Sequence, residues 1–385
     1  MPPPMPAEAG KIKGEPLSGA VTWIPGIYLG GPVYGPCNRV LSIDGGGIRG
    51  IIPALMLEEI ENETGQPISK LFDTIVGTST GSILALGLTR PNDNDAYKPA
   101  FRASDLVAFY ERDGSDIFPH SFSWLRKVRQ LFFPKYSSHE IEKVLKDSFS
   151  DVYLDESLNR VLIPAYEIED RERIWFDSYD TNASHYLMRD VLRGATAAPT
   201  YFPPYRLAAP ITYRSSKGYL VLVDGGVFAN NPAITAMSNG ITLARGGGDE
   251  DFLLLSLGTG TSHVKLSFDK IWNWGELEWL DTLLDISFSD PALEKDSKVL
   301  ENKERFKYVR LQVELDEADM KLDDTSFAAL DRLKKATKKY LADNHEEIQI
   351  IAARLMLPRR PECAIGPGPD REPRPIGARQ HRVSP

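Results

Sequence analysis

Apolar residues fall in short runs along this chain, separated by stretches with a helical period. RVLSI (39–43), LFDTIVGT (71–78), NRVLIPAYEI (159–168), YLVLVD (219–224) and DFLLLSL (251–257) are rich in apolar residues, the pattern of strands covered on both faces. IRGIIPALMLEEIENETG (48–65) spaces its apolar positions as a helix and ends on Gly65, a natural stop. SILALGL (82–88) and PAITAMSNGITLA (232–244), opened by Pro232, predict two more helices. A long polar helix pattern runs through 324–355. Strands alternating with helices predict an α/β sheet with helices on both faces.

The two ends break this pattern. Residues 1–37 are rich in Pro and Gly and carry no period, and residues 357–385 are Pro/Arg-rich, a composition that predicts disorder. No linker or repeat interrupts the stretch between them, so the expected division is a lead-in (1–37), one domain (38–356) and a tail (357–385). With 385 residues, 42% apolar, the chain can bury a self-sustaining core. Its two cysteines, Cys37 and Cys363, lie in the flanks, so no disulfide framework is expected. The net charge of −9 argues against DNA or RNA as a partner. No apolar run reaches the roughly 20 residues that span a bilayer, and the N-terminus lacks the order of a signal peptide. The expectation is a cytoplasmic protein that meets lipid at the membrane surface.

Three local signals carry chemistry. Asp44-Gly45-Gly46-Gly47-Ile48-Arg49-Gly50 follows a strand and opens a helix. Such a loop presents backbone N–H groups and a helix dipole to negative charge. Taken alone, it fits a nucleotide phosphate (Gly45, Gly47 and Gly50 match G-x-G-x-x-G) as well as an acyl-transfer oxyanion. Gly77-Thr78-Ser79-Thr80-Gly81 fits G-x-S-x-G between a strand and a helix. That context puts a serine on a tight turn with its Oγ projecting from the sheet edge. A serine hydroxyl needs a base, and none of the six histidines sits at an obvious strand end. Asp224 does: it ends YLVLV and precedes Gly225-Gly226. Next to Ser79 it could accept the hydroxyl proton, although taken alone a turn aspartate is the stronger reading.

Together, in this order, DGGGIRG (44–50), GTSTG (77–81) and DGG (224–226) resemble the patatin-like phospholipase family. PKYSS (134–138), RGATAAPTYFPP (193–204), ANNPA (229–233) and SLGTG (256–260) add to the match, which covers about 38–265. The resemblance implies a three-layer α/β/α sandwich with a mostly parallel central sheet. It implies a lipid acyl hydrolase with a Ser–Asp dyad, Ser79 as nucleophile and Asp224 as base. Gly45, Gly46 and Gly47 would form the oxyanion hole, and Arg49 would hold the loop or a lipid phosphate. Gly77, Gly81, Gly225 and Gly226 would shape the two turns. Ser82 stands where the family commonly has another glycine. No metal or cofactor is implied. The chain is also compatible with bacterial patatin-like effectors switched on by cyclic oligonucleotides, so a cyclic-nucleotide activator is an alternative partner. A non-enzymatic binding module is the remaining alternative, and a homo-oligomer is left open.

The stretch 118–136 mixes aromatic with basic residues, as a membrane-facing segment or lid would. Its candidates are Phe122, Trp124, Arg126, Lys127, Arg129, Phe132 and Phe133. An ordinary surface helix has the same composition. IWNWGELEWLDTLLDISF (271–288) is acidic on its polar face, which suits core packing or an oligomer contact better than anionic lipid.

Overall fold

A computed structural model describes residues 34–117, 136–210, 217–237, 252–262, 272, 306–316 and 319–359. The lid candidates, the 271–288 stretch apart from Trp272, and most of both flanks lie outside these residues.

The strands are β1 (Asn38–Ile43), β2 (Thr74–Gly77), β3 (Arg160–Glu167), β4 (Glu172–Asp177), β5 (Tyr205–Ala208), β6 (Tyr219–Asp224), β7 (Phe252–Leu257) and β8 (Phe306–Leu311). They form one sheet in the order β5-β6-β3-β2-β1-β7-β8, with β4 paired to β3. The pairs β1–β2, β1–β7, β2–β3 and β7–β8 are parallel, while β3–β4, β3–β6 and β5–β6 are antiparallel. The sheet is therefore mostly parallel at its centre and antiparallel at one edge.

The longer helices are α1 (Ile51–Thr64), α2 (Thr80–Thr89), α3 (Ala103–Ile117), α4 (Ser138–Phe149), α5 (Met188–Ala195), α6 (Phe327–Asp343) and α7 (His345–Met356). Side chains alternate across the strands and feed two cores. Leu41, Ile43, Leu253, Leu255 and Leu257 join the larger cluster with α1, α2 and the other long helices. Val40, Val76, Phe252 and Leu254 face the other way, onto Ala233 and Ala236. Every residue of α2 is buried, which explains the unbroken apolar run ILALGL.

Sequence pattern and structure differ in three places. The single helix expected over 324–355 is two, because Asn344 leaves helical geometry at φ −116° and ψ 23°. Its Nδ2 donates to the Tyr340 carbonyl at 2.8 Å, closing α6, and its own carbonyl accepts from Ile348 at 3.1 Å, opening α7. Strands β4, β5 and β8 were not apparent in the pattern, being short or interrupted by charge. Cys37 is disulfide-bonded, a single link that the sequence pattern does not announce. That end of the chain is also held by Arg39, whose guanidinium donates to the Leu355 and Leu357 carbonyls.

Candidate active site

Strand register places the two chemical motifs side by side. The first half of β3 pairs with β2, Val76 opposite Leu162, and its second half pairs with β6, Asp224 opposite Ala165. Three residues of strand cover about 10 Å. Ser79 lies three residues past Val76, so Asp224 arrives at the level where the chain leaves β2.

There the Ser79 Oγ donates to Asp224 Oδ2 at 2.6 Å. Ser79 holds φ 53° and ψ −119°, a conformation rarely adopted by a residue with a side chain. The turn is tied down on several sides. Thr78 donates through its amide to Ile43 at 3.1 Å and through Oγ1 to the Ala229 carbonyl at 2.6 Å. The Ser82 hydroxyl returns to the Gly77 carbonyl at 2.8 Å, so the residue that departs from the family pattern closes the elbow. Gly81 must lack a side chain, because a Cβ there would lie 2.4 Å from the Ile43 carbonyl oxygen. Gly77, at the end of β2, packs as closely against Gly81.

Asp224 is 1% exposed. Its Oδ1 accepts from the Gly226 amide at 2.7 Å, and its own amide donates to Ala197 at 3.0 Å. Gly225 lies against the Pro164 carbonyl of β3. Burial pushes the Asp224 carboxyl up to about 6, against the pull of the Ser79 and Gly226 hydrogen bonds. The three histidines among the described residues, His139, His185 and His345, are all exposed, and none bonds to Ser79.

The glycine-rich loop runs from the end of β1 past Ser79. Its three glycines do not act alike. The Gly45 amide is committed to the Asn230 carbonyl at 3.1 Å, which departs from the expectation that all three amides are open. Gly46 and Gly47 have no such bond among the described residues, and neither does the amide of Thr80. Gly47 holds φ 57°, which glycine adopts without strain. Asp44, 2% exposed, anchors the loop through a two-pronged ion pair with Arg310 of β8, Nη1 reaching Oδ1 at 3.0 Å. Burial pushes the Asp44 carboxyl up, against the pull of Arg310. Arg49 is 1% exposed and touches Met320 Sδ at 3.2 Å, a position that suits holding the loop from inside better than meeting a lipid phosphate.

The sequence reading missed Arg310, Asn230 and Thr259, whose Oγ1 donates to the Gly45 carbonyl at 2.6 Å. The signal for Arg310 was an arginine inside an otherwise largely apolar strand, FKYVRL, where a buried charge demands a partner.

A small, largely apolar cavity of about 50 Å³ lies beside Ser79. Ile83, Tyr110, Ile117, Ile141, Tyr201 and Phe202 line it. The lining suits an apolar group. The Tyr110 hydroxyl shares a 2.5 Å hydrogen bond with Thr80 Oγ1, next to the elbow. Burial raises the Tyr110 pKa, so the phenol stays neutral. Tyr110→Phe leaves Thr80 without that partner and is expected to cost about 1–3 kcal/mol, read by urea denaturation. Among the described residues one group has metal-ligand spacing, Glu59, Glu63 and His345, but it lies at the surface and not in this cavity.

Comparison with known proteins gives this geometry a family. The family described as patatin-like phospholipase matches residues 41–237. Patatin-like protein 2 of Arabidopsis thaliana is 36% identical over 65% of this chain and 67% of its own length. Patatin-like protein 4 of the same plant is 31% identical over 81% of this chain and 85% of its own. Patatin-T5 of Solanum tuberosum is 32% identical over 85% and 91%. The chain belongs to the patatin-like phospholipase family. It is therefore a member of a lipid acyl hydrolase family, and the α/β sheet flanked by helices agrees with the patatin fold. In this patatin-like chain the matched stretch takes in both Ser79 and Asp224, but not Thr259 or Arg310. No helix among the described residues is long and apolar enough to cross a membrane.

Proposed function

We propose that this chain hydrolyses fatty-acyl esters of membrane phospholipids or glycolipids through a Ser79–Asp224 dyad. The observation that carries the reading is the 2.6 Å hydrogen bond from Ser79 Oγ to a buried carboxylate, at the mouth of an apolar cavity.

Ser79 Oγ attacks the ester carbonyl carbon as Asp224 Oδ2 takes the hydroxyl proton. The oxyanion is stabilised by the open amides of the loop and of Thr80; removing one such donor from a site typically costs about 10²–10³ in rate. Asp224 returns the proton to the leaving alcohol as the C–O bond breaks, which leaves an acyl ester on Ser79. Water then attacks that ester and gives its proton to Asp224. The fatty acid departs, and the proton goes back to Ser79 Oγ. A free aspartate, with a pKa of about 3.9, is a weak base at pH 7. Burial strengthens it, and a pKa of about 6 still leaves it ionised at neutral pH.

A fluorophosphonate probe tests the reading without knowledge of the substrate. It is expected to label wild-type protein on Ser79, located by peptide mass spectrometry, and to leave Ser79→Ala unlabelled. Labelling elsewhere, or none, would refute the dyad. Ester hydrolysis measured with and without a cyclic dinucleotide separates the constitutive enzyme from the ligand-gated alternative.

A further inference from the structure

A second groove lies behind the catalytic-site strand. Successive side chains of β6 point to opposite faces, so Asp224 meets Ser79 while Val223 faces this groove. Phe202 borders both spaces. Val223 pairs with Tyr166 of β3, and Tyr166 with Arg173 of β4, which makes a row across three strands on one face.

The chemistry of the groove is amphiphilic. Arg171 and Arg173 line it, both exposed, and neither has an acidic partner among the described residues. The acidic residues of the same hairpin turn, Glu169 and Asp170, are both engaged by Lys217, at 2.8 and 3.1 Å, and not by the two arginines. Both guanidiniums of the groove thus stand without an ion-pair partner among the described residues, on a chain of net charge −9. The Arg173 guanidinium sits 5.5 Å from the centre of the Phe228 ring, which fixes it over an aromatic floor. Ile168 and Val227 form part of the lining, 46% and 38% exposed. Arg171 at φ 59° and Thr200 at φ 72° also line the groove. Left-handed backbone at residues with side chains is costly; among the described residues it occurs also at Ser79, in the candidate active site, and at Ser150.

We propose that this groove seats the anionic phosphate headgroup of a phospholipid in the membrane surface. The two guanidiniums face the phosphate, while Ile168 and Val227 enter the boundary between headgroups and acyl chains. The groove would then hold the protein on lipid with Phe202 standing between the docked headgroup and the Ser79 cavity. The link to catalysis rests on the hydrolase reading above, but the binding itself does not.

Flotation of the full-length protein with vesicles tests this. Vesicles of phosphatidylcholine alone are compared with equal parts phosphatidylcholine and phosphatidylglycerol. Wild type is expected to prefer the anionic vesicles, and R171A/R173A to bind them about 30-fold more weakly. R171K/R173K keeps the charge and is expected to retain most of the affinity, which separates charge from misfolding. Equal binding by wild type and R171A/R173A would overturn the proposal. So would titration showing tight glycerol 3-phosphate binding by a protein that ignores vesicles, since the site would then serve a soluble anion. Hydrolysis of a water-soluble short-chain ester by wild type is assayed in parallel. If no ester is cleaved while vesicle binding still depends on the arginines, the hydrolase reading fails and the groove stands. If the ester is cleaved and the arginines make no difference, the groove fails alone.

Discussion

Asp224→Asn is expected to lower turnover of a fatty-acyl ester by about 10²–10⁴-fold and, at pH 7, to make the protein more stable. The amide is nearly isosteric with the carboxylate. It can still accept from the Gly226 amide and share a hydrogen bond with Ser79, but it cannot take a proton. The gain in stability follows from burial. Burial pushes the carboxyl up to about 6 from the ordinary aspartate value of 3.8, because the ionised form is costly inside the protein. For a group raised on folding, the stability present below the unfolded value is lost as pH rises through the folded one. At pH 7 the difference is about 3 kcal/mol, and a neutral side chain escapes it. Urea denaturation should therefore show Asp224→Asn ahead of wild type at pH 7, with the gap closing as pH falls from 6 toward 4. The rate follows the opposite course. Since the base must be ionised, wild-type kcat/KM should fall as pH drops through about 6. A wild-type rate independent of pH from 5 to 8, with chemistry rate-limiting, would exclude Asp224 as the proton acceptor.

Chemistry was easier to read from this chain than the support for that chemistry. GTSTG is a local device that encodes its own turn, so Ser79 could be picked out by itself; Asp224 alone read better as a turn aspartate, and the resemblance made it the candidate base. Their contact was implied by the resemblance and by neither motif alone, because it depends on β3 running on past the end of β2 and taking β6 as its next partner. The glycine loop was legible as a row of amides. That Gly45 would give its amide to Asn230, some 185 positions away, is a tertiary event with no local trace. The buried strands announced themselves because both faces are covered. β8 did not, since its arginine broke the apolar run. That same arginine is far from the other site residues in sequence, and it lies beyond the stretch matched to the family. The helix break at Asn344 was hidden for the opposite reason: the polar pattern continues smoothly through it.

The Asp44–Arg310 pair gives the second large effect. Arg310→Met is expected to destabilise the protein by about 3–5 kcal/mol, because it strands a carboxylate that is 2% exposed. The loss should not be confined to stability. Asp44 is the residue from which the glycine loop departs, and Arg310 ties it to β8 and, through Nη1 to Ser256 Oγ at 2.8 Å, to β7. Released from those strands, Gly46 and Gly47 lose their fixed position beside Ser79, so labelling by a fluorophosphonate should slow even at temperatures where the variant is folded. The compensating change decides the cause. Asp44→Asn placed in the Arg310→Met background removes the stranded charge, and removing both partners of a buried pair is often near neutral. The double variant should recover most of the lost stability but not the full labelling rate, since no bond to β8 is restored. Lowering the pH should help the single variant for the same reason. Without the guanidinium the Asp44 carboxyl rises further, and protonating it relieves the unpaired charge, so the deficit against wild type should shrink toward pH 5. A deficit that the double variant leaves untouched, or that grows in acid, would show that Arg310 acts through packing and not through Asp44.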